Sequence, residues 1–241
     1  MSRLSLLLLA LCAAGIALSS PFLLAVIRAA RAPASPYAVL AVQGVQTLLL
    51  CALAAWAGAR FAPRARLEAP WLRAFAERRD RPAAFGSVAI EAAAVGSVTA
   101  IVVTAVALML RSSPDAPGRA VSAGFWVRAS SAFYGGIVEE TLIRWGILTA
   151  LIALALRFGA REAFWKANVA AALIFGALHL PAVAFWRIPL SAAVVAQVLL
   201  GNGIAGVVFG WMFRRRGLEG AMVAHGAADI WLQAALPALL A

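Results

Sequence analysis

Long apolar runs alternate along the chain with short, arginine-rich joints. Seven runs extend from Leu4 to Ile27, Tyr37 to Ala59, Ala83 to Leu110, Tyr134 to Leu156, Ala163 to Leu180, Ile188 to Phe213 and Leu218 to Leu240. A spanning helix needs about 20 apolar residues, so each run predicts one transmembrane helix. The first resembles a secretory signal, but its apolar stretch continues to Ile27 and predicts a retained helix. Between the second and third runs, Leu67, Trp71, Leu72 and Phe75 recur at helical spacing among arginines, which predicts an amphipathic helix on the membrane surface. The stretch Val121 to Phe133 is short, carries Arg128 and follows the turn signals Pro114, Pro117 and Gly118. It predicts an interfacial or half-crossing helix, or an eighth span if it crosses. Gly201-Asn202-Gly203 is expected to interrupt the sixth helix. The expected fold is an all-α, polytopic helical membrane protein with seven to eight transmembrane helices plus the surface helix. It forms a single membrane domain over 1–241, with N-terminal helices in 1–120.

Composition agrees with that pattern. Of 241 residues, 64% are hydrophobic and 13% charged, against roughly 25% charged in ordinary soluble domains. The net charge of +11 raises the question of nucleic acid, but the arginines gather at the ends of apolar runs, where they meet headgroups. The expected partner is therefore the lipid bilayer and not nucleic acid. Arg60, Arg64, Arg66, Arg73, Arg78, Arg79 and Arg81 form the strongest cluster, which the positive-inside rule puts in the cytoplasm. If 121–133 does not cross, Arg157, Arg161, Lys166 and the run Arg214 to Arg216 share that side. Cys12 and Cys51 lie in separate runs without metal-site or disulfide-framework spacing.

Against this background some polar residues stand out, because an ionised side chain at mid-bilayer costs about 2.5–3.5 kcal/mol on insertion scales. Glu139 and Glu140 are followed by Arg144, one turn after Glu140, where the two can pair. His179 follows Phe175 on the next helix, and His225 and Asp229 share one face of the last. A Glu/Arg pair can be only a clasp between helices, and a buried histidine only a packing residue. Packing alone, however, gives no reason to collect both histidines and three carboxylates in three late helices. Glu91, isolated in the third run, reads as structural or pore-lining, and Trp145, Trp186, Trp211 and Trp231 as interface anchors or core.

A carboxylate beside an imidazole can hold and deprotonate water, and a second imidazole with a hydrogen-bonding neighbour can stabilise an oxyanion. Amide hydrolysis is the reaction class this suggests. Zinc held by Glu139, His179 and His225, with water as fourth ligand, is the alternative. The sequence has no Gly-x-Ser-x-Gly elbow and no His-Glu-x-x-His helix. A proton-relaying transporter would show broken helices in two related halves, which are not evident.

The order Glu-Glu-x-x-x-Arg (Glu139, Glu140, Arg144), Phe-x-x-x-His (Phe175, His179) and His-x-x-x-Asp (His225, Asp229) resembles the CPBP family of intramembrane proteases. That family includes the CAAX prenyl endopeptidases of the Ras-converting type and bacterial proteins similar to the lysostaphin-resistance protein. The resemblance covers about 124–240, the expected catalytic portion. It implies a site inside the bilayer, with Glu139 and His179 activating water and His225 with Asp229 on the oxyanion side. In the prenyl endopeptidases the site opens toward the cytosol. Members have been called metalloproteases, and a metal-free glutamate mechanism is also proposed. Two positions depart from the pattern: Asp229 stands where the prenyl endopeptidases usually carry Asn, and Trp145 intervenes between Arg144 and Gly146. The expected function is endopeptidase cleavage of a membrane-associated protein or peptide, the bacterial cytoplasmic membrane being the compartment the resemblance implies. A metal-free mechanism is favoured, because Asp229 can orient His225 while His179 has no evident partner to fix it as a zinc ligand. A non-catalytic scaffold, immunity or regulatory protein of the same fold is the alternative.

Overall fold

The computed structural model describes residues 1–31, 34–80, 82, 84–110, 123–186 and 188–239, and the described residues are helical without strands. The turn signals at Pro114, Pro117 and Gly118 lie outside these residues. Helices α1 (Arg3–Ala29), α2 (Pro36–Ala65), α3 (Pro70–Glu77) and α4 (Phe85–Met109) are followed by short α5 (Phe125–Ala129) and α6 (Ser131–Phe133). The chain then widens into two π-helical segments, Tyr134–Glu139 and Thr141–Leu148, before α7 (Thr149–Arg157). Next come α8 (Ala163–Leu178), α9 (Leu180–Phe185), α10 (Ala192–Asp229), a third π segment (Ile230–Ala235) and α11 (Leu236–Leu239).

Five helices are long and apolar enough to cross a membrane: Arg3–Ala29, Pro36–Ala65, Phe85–Met109, Ala163–Phe185 and Ala192–Leu239. Two features explain why seven apolar runs yield five such helices. Residues 131–157 form one unbroken helical run, but it is divided among α and π turns. The sixth and seventh runs are joined in α10, whose backbone leaves helical geometry at Gly217 with φ 77° and ψ 176°. The chain reverses there. The rings of Phe209 and His225 stack with centroids 4.6 Å apart, whereas sixteen residues of straight helix would separate them by about 24 Å. Gly201–Gly203, expected to break this element, lies within continuous helix, where Asn202 donates to the carbonyl of Val198 at 2.9 Å. Helix tolerates isolated glycines at modest cost, whereas the Gly217 conformation is open essentially to glycine alone.

The reversal is docked against α3. The Leu218 amide donates to the carbonyl of Glu68 at 3.0 Å, and the buried Glu219 carboxylate accepts from the Leu72 amide at 2.7 Å in the first turn of α3. That carboxylate fills the role of a helix N-cap, supplied here from 147 residues away. A methyl group at Gly217 would sit 2.6 Å from Cδ of Pro70. Gly217→Ala is therefore expected to lower stability by about 1–3 kcal/mol, from the disallowed backbone and the crowding together, as read by thermal unfolding in detergent. An unchanged melting temperature would contradict this account of the turn.

Many of the basic residues collect at the same end of the molecule, whereas Arg28, in the last turn of α1, and Arg128, bonded to the carbonyl of Gln233, lie at the other. Glu91 is bonded to Arg215 at 2.8 Å and to Arg216 at 2.7 Å, so it anchors the turn and lines no pore. The Arg214 guanidinium lies 4.5 Å from the Phe164 ring centroid, which brings the start of α8 to this end. Ser5 donates to the carbonyl of Ala55, and Trp145 to the same atom, which adds the start of α1 and the later part of α2. The outward faces stay apolar: Leu49, Ile90, Val98 and Leu108 are more than half exposed, as a lipid-facing surface requires. Inside, small residues let backbones approach, as at Gly96 against Ala224 and Gly206 against Ala172.

Candidate active site

Gly135 and Gly136 bring the first π segment onto the last helix. A methyl at Gly136 would lie 2.7 Å from the carbonyl oxygen of Met222, and one at Gly135 would collide with the Asp229 carboxylate and come within 2.9 Å of Nε2 of His225. Only at this spacing can Glu139 and Glu140, one turn further on, reach the His225 ring. Gly135→Ala is accordingly expected to displace Asp229, costing about 1–3 kcal/mol in stability through overpacking and at least roughly tenfold in any activity of the site. Normal turnover in this variant would show that the close approach is not needed.

The two glutamates take different partners. Glu140 is fully buried, and its Oε1 accepts from Nδ1 of His225 at 2.7 Å while its Oε2 stands 3.3 Å from Nε of Arg144. Arg144, 1% exposed, lies with its guanidinium carbon 5.0 Å from the centroid of Phe175 and 5.8 Å from that of Phe209. Phe209 stacks on the His225 ring, so the ring is held by one hydrogen bond and one aromatic face. Glu139 remains at the edge of a cavity, its Oε2 3.6 Å from Nε2 of His225. Sequence reasoning assigned the orientation of His225 to Asp229. The structure corrects this: Oδ1 of Asp229 is 3.8 Å from Nε2, beyond hydrogen-bonding distance, and Glu140 orients the ring.

His179 is fixed by the backbone. Pro181 at the start of α9 ends α8 at Leu178, because proline has no amide proton and its ring crowds the carbonyl four residues back. The His179 amide bonds to Gly176 at 3.1 Å, and Nδ1 lies 2.8 Å from the Phe175 carbonyl oxygen. A carbonyl only accepts, so Nδ1 carries the proton and, in the neutral ring, Nε2 is the acceptor. The Phe175 ring packs edge-on against both histidines, at 4.8 Å from His179 and 5.8 Å from His225.

Glu139, His179, His225 and Asp229 thus line one cavity of about 520 Å³, with the Glu140–Arg144 pair buried beneath it. Glu139 and, through Nε2, the neutral ring of His179 bring acceptors to the lining of this cavity. A water, or the reacting groups of a substrate, would supply the missing donors. Among the described residues no three His, Cys, Asp or Glu side chains are grouped to hold a metal ion. Sequence reasoning missed the second role of Glu140, which needed the last helix in place, and the backbone anchor of His179. The latter had a visible signal in Pro181, two residues beyond the histidine.

Residues 121–231, which contain all six of these polar residues, match a family model described as Type II CAAX prenyl endopeptidase Rce1-like. No curated protein and no solved structure matches the chain.

Proposed function

Because residues 121–231 belong to the Rce1-like family of type II CAAX prenyl endopeptidases, we propose that this integral membrane protein is an intramembrane endopeptidase that hydrolyses a membrane-associated protein or peptide through a glutamate-activated water. The observation that carries the reading is the convergence of Glu139 with the acceptor nitrogen of His179 on one cavity. A water there donates one hydrogen to the Glu139 carboxylate and one toward His179 Nε2, leaving its oxygen lone pairs for a carbonyl carbon. As the bond to carbon forms, Glu139 accepts the proton and later delivers it to the leaving amine. His225, held through Nδ1 by Glu140, presents Nε2 to the same space. In its doubly protonated form it donates there to the developing oxyanion. Asp229, ionised, would oppose that charge, so it acts in protonated form or turned toward His225. The mechanism needs no metal.

We also read seven crossings. Residues 131–157 and the two arms of α10 on either side of Gly217 join α1, α2, α4 and α8, and 123–133 stays at the interface. The arginine-rich end faces the cytoplasm of a bacterial cell by the positive-inside rule. Cleavage of a membrane-peptide library by the purified protein, lost in His179→Ala, tests the activity. Uncleaved libraries, or cleavage that survives that change, would remove the assignment. Chelator-washed protein is expected to retain full activity, as read by turnover alongside metal analysis. Stoichiometric zinc that restores a lost activity would overturn the metal-free mechanism.

A further inference from the structure

The chain has two cysteines, on different helices, and the structure brings them together. Cys12 of α1 and Cys51 of α2 are fully buried, are not joined by a disulfide, and form one small cluster with Val138. Their thiols are hydrogen-bonded to one another, and that of Cys12 also to Thr141. Each lies well inside a helix long and apolar enough to cross a membrane. Spacing along the chain does not reveal this meeting, which depends on how α1 packs on α2.

The cluster stands directly against the segment that carries Glu139. Val138 precedes Glu139 in the chain, and Tyr134, which packs on the cluster, also lines the cavity. The Tyr134 hydroxyl lies 3.5 Å from that of Thr47 on α2. On α1, a methyl at Gly15 would come within 3.0 Å of the Phe133 carbonyl oxygen and 3.2 Å of Cγ2 of Val138, so that helix rests on the same backbone. Leu9, Ile16 and Leu48 pack on the cluster and are only partly buried, so the thiols connect to the outer surface through side chains. A molecule dissolved in lipid reaches them by displacing those side chains, whereas a charged reagent would have to shed its hydration first.

We propose that Cys12 and Cys51 are an oxidation site, which a hydroperoxide carried in the bilayer closes to a disulfide that ties α1 to α2 and stiffens the π segment bearing Glu139. One thiol attacks the terminal peroxide oxygen, the O–O bond breaks, and an alcohol and a sulfenic acid result. The second thiol then attacks the sulfenic sulfur, the S–S bond forms, and the hydroxyl leaves with that thiol's proton as water. The two sulfurs are oxidised and the peroxide is reduced, so the electrons balance. Hydrogen bonds from the second thiol and from Thr141 are at hand for the attacking sulfur, which needs them where there is no water. The modification goes beyond the endopeptidase reading and does not depend on it.

The test uses the full chain in phosphatidylcholine vesicles, with and without a fatty-acyl hydroperoxide in the lipid, followed by unfolding and labelling of free thiols with a maleimide. Untreated protein is expected to take up a label at each cysteine. Treated protein is expected to take up none, to weigh about 2 Da less for the two hydrogens lost, and to run as a monomer on a non-reducing gel. An anionic, water-soluble disulfide reagent is expected to leave both thiols free. Labels retained after the hydroperoxide, a mass raised by oxygen without a disulfide, or a disulfide-linked dimer would each overturn the proposal, and so would equal reaction with the anionic reagent. Stiffening is read by hydrogen exchange over residues 131–148, expected to be at least roughly threefold slower in the oxidised protein and unchanged in hydroperoxide-treated Cys12→Ser. Equal exchange in the two wild-type forms, or the same slowing in Cys12→Ser, would overturn the link to the π segment.

Discussion

Glu139→Gln is expected to reduce peptide hydrolysis by roughly 10²–10⁴-fold, the usual contribution of a positioned general base, while leaving the melting temperature in detergent within a degree or so of wild type. The amide keeps the size of the carboxylate but cannot accept the proton of the attacking water. Stability is spared because Glu139 is 21% exposed at its side chain and stands 3.6 Å from its nearest ion-pair partner, His225. No buried partner is left charged and alone. Turnover of a library-derived peptide, with thermal unfolding of the same preparation, checks both halves. Full turnover in Glu139→Gln would take the catalytic role away from this residue, and a large loss of stability would make it a structural group instead.

Arg144→Ala is expected to have the opposite profile, destabilising the fold by about 3–5 kcal/mol, because it leaves the Glu140 carboxylate uncompensated where water does not reach. Both side chains are buried to within 1%, so solvent does not screen the 3.3 Å contact. The guanidinium also fills the space beside Phe175 and Phe209, so truncation opens a cavity under the two rings that pack on the histidines. Replacing the pair together, as Glu140→Leu with Arg144→Met, is expected to recover part of the lost stability, since apolar groups of similar volume often substitute well for a buried ion pair. Activity is not expected to return with it, because Nδ1 of His225 then lacks its acceptor at 2.7 Å. Unfolding curves of the single and double variants, beside their turnover, measure the coupling. An Arg144→Ala protein that melts like wild type would show that the pair does not hold the helices.

Several features were legible in the residues alone. Apolar runs of about 20 residues can be satisfied in lipid only as helices, so the helical class followed from local composition, and so did the short amphipathic helix around Trp71 and Phe75. The six polar residues were identifiable because ionisable groups in apolar runs are costly wherever they point. The spacing of Glu140 and Arg144 named their pairing correctly, since one helical turn separates them and no other element is involved. One local signal pointed the wrong way. Gly201-Asn202-Gly203 looked like the break, yet Gly217, placed just after Arg214 to Arg216 where a helix end is favoured, makes the turn.

What the sequence by itself determined was therefore each helix's apolar character, the end at which many of the basic residues gather, and which side chains cannot face lipid, because each of these depends on hydration energies along a single segment. Only the tertiary structure decided that Glu140 rather than Asp229 holds His225, that Glu219 caps a helix 147 residues away, and that Glu91 clamps the arginine turn. These depend on how closely backbones approach at Gly135, Gly136 and Gly96, and on the reversal at Gly217. Such distances are set by packing between segments far apart in the chain, which no periodicity within one segment encodes.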